Sequence, residues 1–272
     1  MEKKTFFCIL NFIIIFSFTT YAFGRASSVN ADTIKRKLVA GEELTYLVKY
    51  AFINIGEVKI VTQDQFIKDG KKFYKTLAYI DSYEGLPFVD LHQVYESVFS
   101  ENLEPVYFKG TMFEEDTTFT EYFFNYENST IRIRKGSNHP YKIWTDSVAH
   151  FEKIYQDGLS IFFYARMGFG KEYTDEIPCF VAEKKEKTVI NFFDDIVDVS
   201  IDAVDYDIAC LKLEGYTDFI SVFGLTGEFS GWFTNDEASI PVAAKMNVII
   251  GSIYLELIDW KREGWKPPAY KN

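Results

Sequence analysis

Gly41-Glu42-Glu43-Leu44-Thr45-Tyr46-Leu47-Val48-Lys49-Tyr50 is the stretch from which the fold can be read. Leu44, Tyr46, Val48 and Tyr50 alternate with Glu43, Thr45 and Lys49, and only Leu47 breaks the order. Successive side chains of an extended chain point to opposite sides, so period two marks a strand with one buried face. The alternation resumes after Ile55-Gly56, where Val58 and Ile60 oppose Glu57 and Lys59. Asp69-Gly70 then signals a hairpin into a strand at 73–80, because this pair readily adopts positive φ.

Working outward, strands are expected at 103–109, 117–127 and 130–135, then at 178–182, 187–193, 205–214, 226–234 and 239–258. No long helical crossover separates them, so neighbours should pair antiparallel as a meander. Residues 246–258 are apolar on both faces except for Asn247, Ser252 and Glu256, which calls for cover on both sides or a lipid-like ligand on one. One helix is expected within 151–167, where Ile154, Leu159, Phe162, Phe163 and Met167 form an apolar stripe suited to covering a sheet face. Gly158 delays its regular part to about Leu159, Asp157 or Ser160 can assist the N-cap, and Gly168 and Gly170 stop it.

Two groups stand out for chemistry. Arg166 sits in an aromatic helix, so it needs an acidic partner or an exit to solvent, since an unpaired buried charge is costly. Binding an anionic head group at a site rim is the alternative. Asp236 closes Gly231-Trp232-Phe233-Thr234-Asn235-Asp236 and can accept backbone N–H bonds at the turn before Pro241. Beyond these, no nucleophile elbow, zinc-protease motif or phosphate loop occurs. His92, His139 and His150 are scattered. Asp194, Asp195, Asp198, Asp202, Asp205 and Asp207 crowd what reads as one solvated connection and match no calcium loop. No catalytic residue, metal ligand or cofactor is assigned.

The first residues carry an address. Lys3 and Lys4 precede an apolar run at 6–18, and Ala22, Gly24 and Ala26 follow, the order of a secretory signal peptide spanning 1–26. An uncleaved membrane anchor is the alternative reading. Removal of the leader deletes Lys3, Lys4 and Arg25 against Glu2, taking the net charge from -11 to -13. So acidic a chain argues against nucleic-acid binding. Arg132, Arg134 and Lys135 are the basic exception; with Ile131 and Ile133 interleaved, they read as a strand showing its basic side chains to water. No second apolar span follows. Two cysteines remain after processing, Cys179 and Cys210; an oxidising compartment permits a disulfide, and their apolar settings equally suit two buried thiols.

The ordered segments together resemble the exported domain-of-unknown-function family DUF3108. The likeness rests on Ala40-Gly41-Glu42-Glu43-Leu44-Thr45-Tyr46, Gly56-Glu57-Val58, Glu96-Ser97, Leu103-Glu104-Pro105, Asp157-Gly158-Leu159-Ser160 with Tyr164-Ala165-Arg166, Trp232-Phe233-Thr234-Asn235-Asp236 with Pro241, and Gly251-Ser252-Ile253 to Glu256-Leu257. The resemblance implies a mainly β protein, a curved antiparallel sheet forming a half-barrel or open barrel with a packed helix, similar to lipoprotein-carrier half-barrels. It brings no catalytic residue. Asn235 stands where the family's Trp-Leu-Ser-Asp-like segment has serine, so no serine chemistry carries over. The expected layout is a signal peptide at 1–26, a polar lead-in at 27–39, one β domain at 40–260 and a tail at 261–272.

Three functions fit. The first is a non-catalytic exported protein that binds or carries a hydrophobic small molecule or lipid in the periplasm or at its envelope face. An envelope scaffold that binds another envelope protein is the second, and a hydrolase with an unrecognised site the third. Arg166, Asp157, Trp232 and Asp236 are the ligand-binding or structural polar candidates. A continuous apolar void between helix 159–167 and strands 228–258 would favour the carrier, and close packing there the scaffold.

Overall fold

In the computed structural model, which describes residues 35–87, 89–220, 226–248 and 251–271, the alternating stretch forms β1 (Glu42–Tyr50), with Glu42, Leu44, Tyr46 and Val48 on its buried face. The leader expected at 1–26 and most of the lead-in lie outside the described residues. Downstream of β1 come β2 (Ile53–Lys68), β3 (Lys71–Ser82), β4 (His92–Ser100), β5 (Pro105–Phe113), β6 (Thr117–Asn125), β7 (Thr130–Asn138) and β8 (Tyr141–His150). A single helix, α1 (Ser160–Met167), leads to β9 (Tyr173–Val181), β10 (Lys184–Val199), β11 (Ile208–Thr217), β12 (Gly227–Thr234), β13 (Pro241–Asn247) and β14 (Ser252–Lys261). Asp69 and Gly70 both take positive φ, 51° and 75°, and close the β2–β3 hairpin as their sequence predicts.

All fourteen strands join one antiparallel sheet in the order β8-β7-β6-β5-β4-β3-β2-β1-β14-β13-β12-β11-β10-β9. The chain builds one wing outward from β1 to β8. It crosses through α1 to the opposite edge and returns inward from β9 to β14, which pairs with β1. The sheet is curved and open: β8 and β9 are its ends. Side chains rather than a backbone ladder draw the wings together. Tyr122 of β6 meets Phe180 of β9 edge-on at 5.0 Å, and Lys135 of β7 pairs with Glu183 at 3.2 Å.

The helix fills one part of the concave face. Phe163 is fully buried against Phe99 of β4, with ring centroids 5.2 Å apart. Burying such a side chain contributes about 2–3 kcal/mol. On its other side, Ala165 and Phe169 pack with Ile177, Ile190, Phe192 and Phe233 of the β9–β12 wing.

Several expectations need correction. The apolar run 239–258 is a hairpin of two strands, not one strand: β13 ends at Asn247, β14 begins at Ser252, and the Val248 N–H donates to the Gly251 carbonyl at 3.1 Å. Its two-sided apolar character therefore comes from two alternating strands. Strands β4 and β8 are additional to those expected. The acidic group does not occupy one connection, because Asp194, Asp195 and Asp198 lie on β10 itself; all six aspartates are exposed. Cys179 and Cys210 are free, buried thiols, so the disulfide left open above is not formed. They flank β10 from opposite sides at Glu186 and Val197, a separation along the strand on the order of 30 Å. Bridged cysteines need Cα atoms within about 7 Å. In the basic segment, Arg132 is exposed and paired bidentately with Asp146 (2.8 and 2.6 Å), while Ile131 and Ile133 are buried.

Candidate functional site

Two buried polar clusters fix where α1 lies and so decide what it leaves open. At its start, Asp157 is fully buried and accepts bonds from the Leu159 and Ser160 N–H groups, both at 2.8 Å, and from the Ser97 hydroxyl of β4 at 2.6 Å. The carboxylate thus satisfies two orphan helix-start donors and ties them to the sheet. Burial pushes its pKa up from 3.8 to about 6, against the lowering effect of these bonds.

That shift has a measurable sign. The folded value exceeds the unfolded one, so the stability linked to Asp157 is complete below about pH 4 and is lost as pH rises through about 6. Asp157→Asn keeps an acceptor for the two N–H groups and carries no charge. We expect it to flatten stability between pH 4 and 6 and to be about 1–3 kcal/mol more stable relative to wild type at pH 7 than at pH 4. Urea unfolding across pH 4–7 reads this out, and parallel profiles for the two proteins would refute it.

At the helix end, Arg166 is completely buried. Its Nη1 donates to Glu42 Oε1 at 2.6 Å and its Nη2 to Oε2 at 3.2 Å; Nη2 also reaches the Ala238 carbonyl (2.8 Å), and Nε the Ser239 carbonyl (3.2 Å). Arg262 adds a second guanidinium to Glu42 at 2.6 Å. Burial opposes the charged form of Glu42, but Arg166 and Arg262 outweigh it and hold the carboxyl below its usual value. The expected acidic partner is therefore present, whereas the placing of Arg166 at a site rim is corrected: no part of its side chain reaches solvent.

Asp236 shapes the turn that supplies those two carbonyls. Its Oδ1 accepts from the Thr234 hydroxyl (2.8 Å) and the Ala238 and Ser239 N–H groups (3.0 Å each), and its Oδ2 from Trp265 Nε1 at 2.7 Å. Trp232, two residues before Thr234 on β12, is half-buried with Lys212 over its ring at 5.9 Å. Segments far apart in the chain, around Glu42, Arg166 and Asp236, thus converge on one network. None of Arg166, Asp157, Trp232 and Asp236 lines either of the two cavities that follow.

The cavity lies beside the helix. It has a volume of about 640 Å³ and is bounded by Phe162 of α1, Val48 of β1, Val58 of β2, Ala244 and Met246 of β13, and Leu255 of β14. Strand register sets part of the wall: Ala244, Leu255 and Val48 are successive cross-strand partners on one inward row. Apolar area dominates the wall, and the polar exceptions are Tyr46, Tyr50 and Asp90. Asp90 lies in the exposed β3–β4 connection, while Tyr46 is 3% exposed. A second cavity of about 410 Å³ shares Ile80 and Leu91 with the first. It is more polar, with the stacked rings of Tyr95, Phe108 and Tyr122 on its wall and the Lys135–Glu183 pair beside them.

Sequence reading missed Tyr46 as a site residue, since period two marks it only as a core position; its hydroxyl was the available signal. Among the described residues, no group of three or more His, Cys, Asp or Glu side chains is placed to hold a metal, and no helix is long and apolar enough to cross a membrane.

Comparison with known proteins gives a family match. The model of the family described as a protein of unknown function, DUF3108, matches residues 45–258. No curated protein matches the chain. Among solved structures, the chain is similar to a β-barrel-like protein of the domain of unknown function DUF1849 from Brucella abortus, at 8% identity and a TM-score of 0.45, covering 84% of this chain and 98% of that one. It is also similar to a Bacteroides fragilis protein with a YmcC-like fold, at 10% identity and a TM-score of 0.39, covering 85% and 100%.

Proposed function

The chain belongs to the DUF3108 family, whose function is unknown, and from its own cavity we propose that it is a non-catalytic, exported binding protein for a hydrophobic small molecule or lipid. The observation that carries this reading is the apolar cavity of about 640 Å³ enclosed by Phe162 of α1 and by strands β1, β2, β3, β13 and β14. Binding sites for small molecules are concave and mostly apolar, about 300–1,000 Å³ in volume, with few polar groups. Well-packed interiors leave few voids larger than a water molecule. A space of this size beside the helix therefore suits an occupant better than a core. The buried ion pairs support the same reading: they hold α1 against one part of the concave face and keep it from collapsing into the rest. Export rests on the leader at 1–26, and the periplasm or the periplasmic face of the envelope is the proposed location.

Native mass spectrometry of the protein, expressed with its leader and purified from the exported fraction, tests this directly. A hydrophobe bound at one per chain, recovered on lipid extraction of the same sample, is expected. Failure of both the purified protein and its delipidated form to take up 1-N-phenylnaphthylamine, an apolar fluorescent probe, would sink the reading.

One observation favours the scaffold as a second reading. The edge strand β8 exposes Tyr141, Trp144 and Val148, and an unpaired strand edge can accept a partner strand. A defined envelope protein captured by the exported protein, and lost on Trp144→Lys, would move the weight there.

A further inference from the structure

Lys135 is, among the described residues, the one basic side chain on the wall of either cavity. It departs from the rest of its segment. Arg132 is exposed and paired with Asp146, whereas period two sets Lys135 on the inward side of β7 with the buried Ile131 and Ile133. Register agrees: Tyr95, Gly110, Thr120 and Lys135 are successive cross-strand partners, and all four line the smaller cavity. The ammonium donates to Glu183 Oε2 at 3.2 Å, and Glu183 lines the same wall. Both side chains are about a third exposed, so an occupant can reach them. An ammonium has three donors, and its bonds to carboxylates typically close to about 2.7–2.9 Å. One bond at 3.2 Å leaves most of that capacity unused.

The floor under the two cavities is continuous. Val58, Ile80, Gln93 and Met112 are successive partners on one inward row; Val58 bounds the larger cavity, Gln93 and Met112 the smaller, and Ile80 both. From Ile80 on β3 to Lys135 on β7 is four strand spacings, roughly 19 Å along the backbone. Polarity rises in that direction. The larger cavity is almost wholly apolar, and the smaller adds Gln93, Thr120 and the Lys135–Glu183 pair.

We propose that the two cavities form one site for a long-chain amphiphile with an anionic head. The tail lies in the larger cavity, and the carboxylate or phosphate oxygens of the head take the place of Glu183 on the Lys135 ammonium. The inference rests on the larger cavity being a ligand site, and it goes further by naming the class of head and the residue that receives it.

The test loads the delipidated protein with 1-N-phenylnaphthylamine and displaces it with oleate, oleyl phosphate or oleyl alcohol. Wild-type protein is expected to bind one or both anions about 10-fold more tightly than the alcohol, the scale of one charge-assisted hydrogen bond; the preferred anion tells a carboxylate head from a phosphate one. Lys135→Met should erase that preference while changing oleyl alcohol less than about twofold, and Lys135→Arg should keep it. Glu183→Gln separates this role from a brace between the wings. It breaks the same ion pair but frees the ammonium, so it should tighten the anions about threefold, the scale of a partly exposed pair. Thermal midpoints check that each variant is folded. If Lys135→Met and Glu183→Gln weaken all three ligands alike, the pair only braces the wings; the head-group role is overturned and the cavity reading survives. The same holds if the probe binds but none of the three displaces it, or if the alcohol binds as tightly as the anions. If the probe itself does not bind, the cavity reading falls, and this proposal with it.

Discussion

Glu42→Ala is expected to destabilise the protein by about 3–5 kcal/mol, the usual cost of removing one partner from a buried ion pair. The reason is what it leaves behind. Arg166 is fully buried and Arg262 nearly so, and both donate to this one carboxylate. Without it, Arg166 keeps only the Ala238 and Ser239 carbonyls, which carry no compensating charge. The loss reaches beyond the pair, since these bonds join α1, the β12–β13 turn and β1. Urea-induced unfolding followed by far-ultraviolet circular dichroism measures the effect, and a loss below about 1 kcal/mol would show that the helix is held by packing alone. The double variant Glu42→Leu with Arg166→Met separates attraction from leftover charge: it should recover part of the loss, because apolar replacement of a whole buried pair is often tolerated. Acid should act in the same direction as Glu42→Ala. The Glu42 carboxyl titrates below its usual 4.5, so the stability it contributes is present above that value and is lost as pH falls through its depressed one.

The second large effect is on binding. Ala244→Trp is expected to abolish uptake of 1-N-phenylnaphthylamine, weakening it by about 100-fold, while the protein remains folded. Ala244 projects into the cavity from the row it shares with Leu255 and Val48, and it is only half-buried, so an indole placed there fills open space before it meets a wall. With ligand present, the same indole overpacks the cavity. Overpacking costs about 1–3 kcal/mol, and a tenfold change in affinity is about 1.4 kcal/mol. Fluorescence titration, with the thermal midpoint as a control, reads both properties. Undiminished probe uptake by a folded Ala244→Trp protein would place the binding elsewhere.

Much of the sheet could be read from the chain because most inward positions are apolar and most outward ones are not. The failures have local causes. Strand β4 hides its alternation: its inward face carries Gln93 and Ser97 while Val94 and Val98 point the other way, and Ser97 is polar because it donates to Asp157. Strand β8 buries almost nothing, so no period exists to be seen. The β13–β14 hairpin escaped notice because Met246 and Val248 stand before its turn and Gly251 is the chief punctuation. The need of Arg166 for a buried acid was legible from the cost of an unpaired charge. Which acid it finds was not, since Glu42 lies 124 residues away. The cavity was legible only as a surplus of apolar side chains. Its wall brings Val48, Ala244 and Leu255 together from strands far apart in the chain, and register between distant strands leaves no trace in linear order.

The pairing of β1 with β14 also sets a schedule. Glu43 faces Lys261 across that seam, so β1 finds one of its two neighbours only after strands β2 to β13 have been made. Until then β1 has β2 alone, and Glu42 lacks Arg262 as well. Contacts this distant close a loop of 218 residues and are slow to form, because loop entropy must be met before the pairing stabilises anything. A nascent chain therefore carries an unzipped central strand through most of its synthesis. For the exported protein proposed above, late closure of the seam would leave the chain open for passage across a membrane.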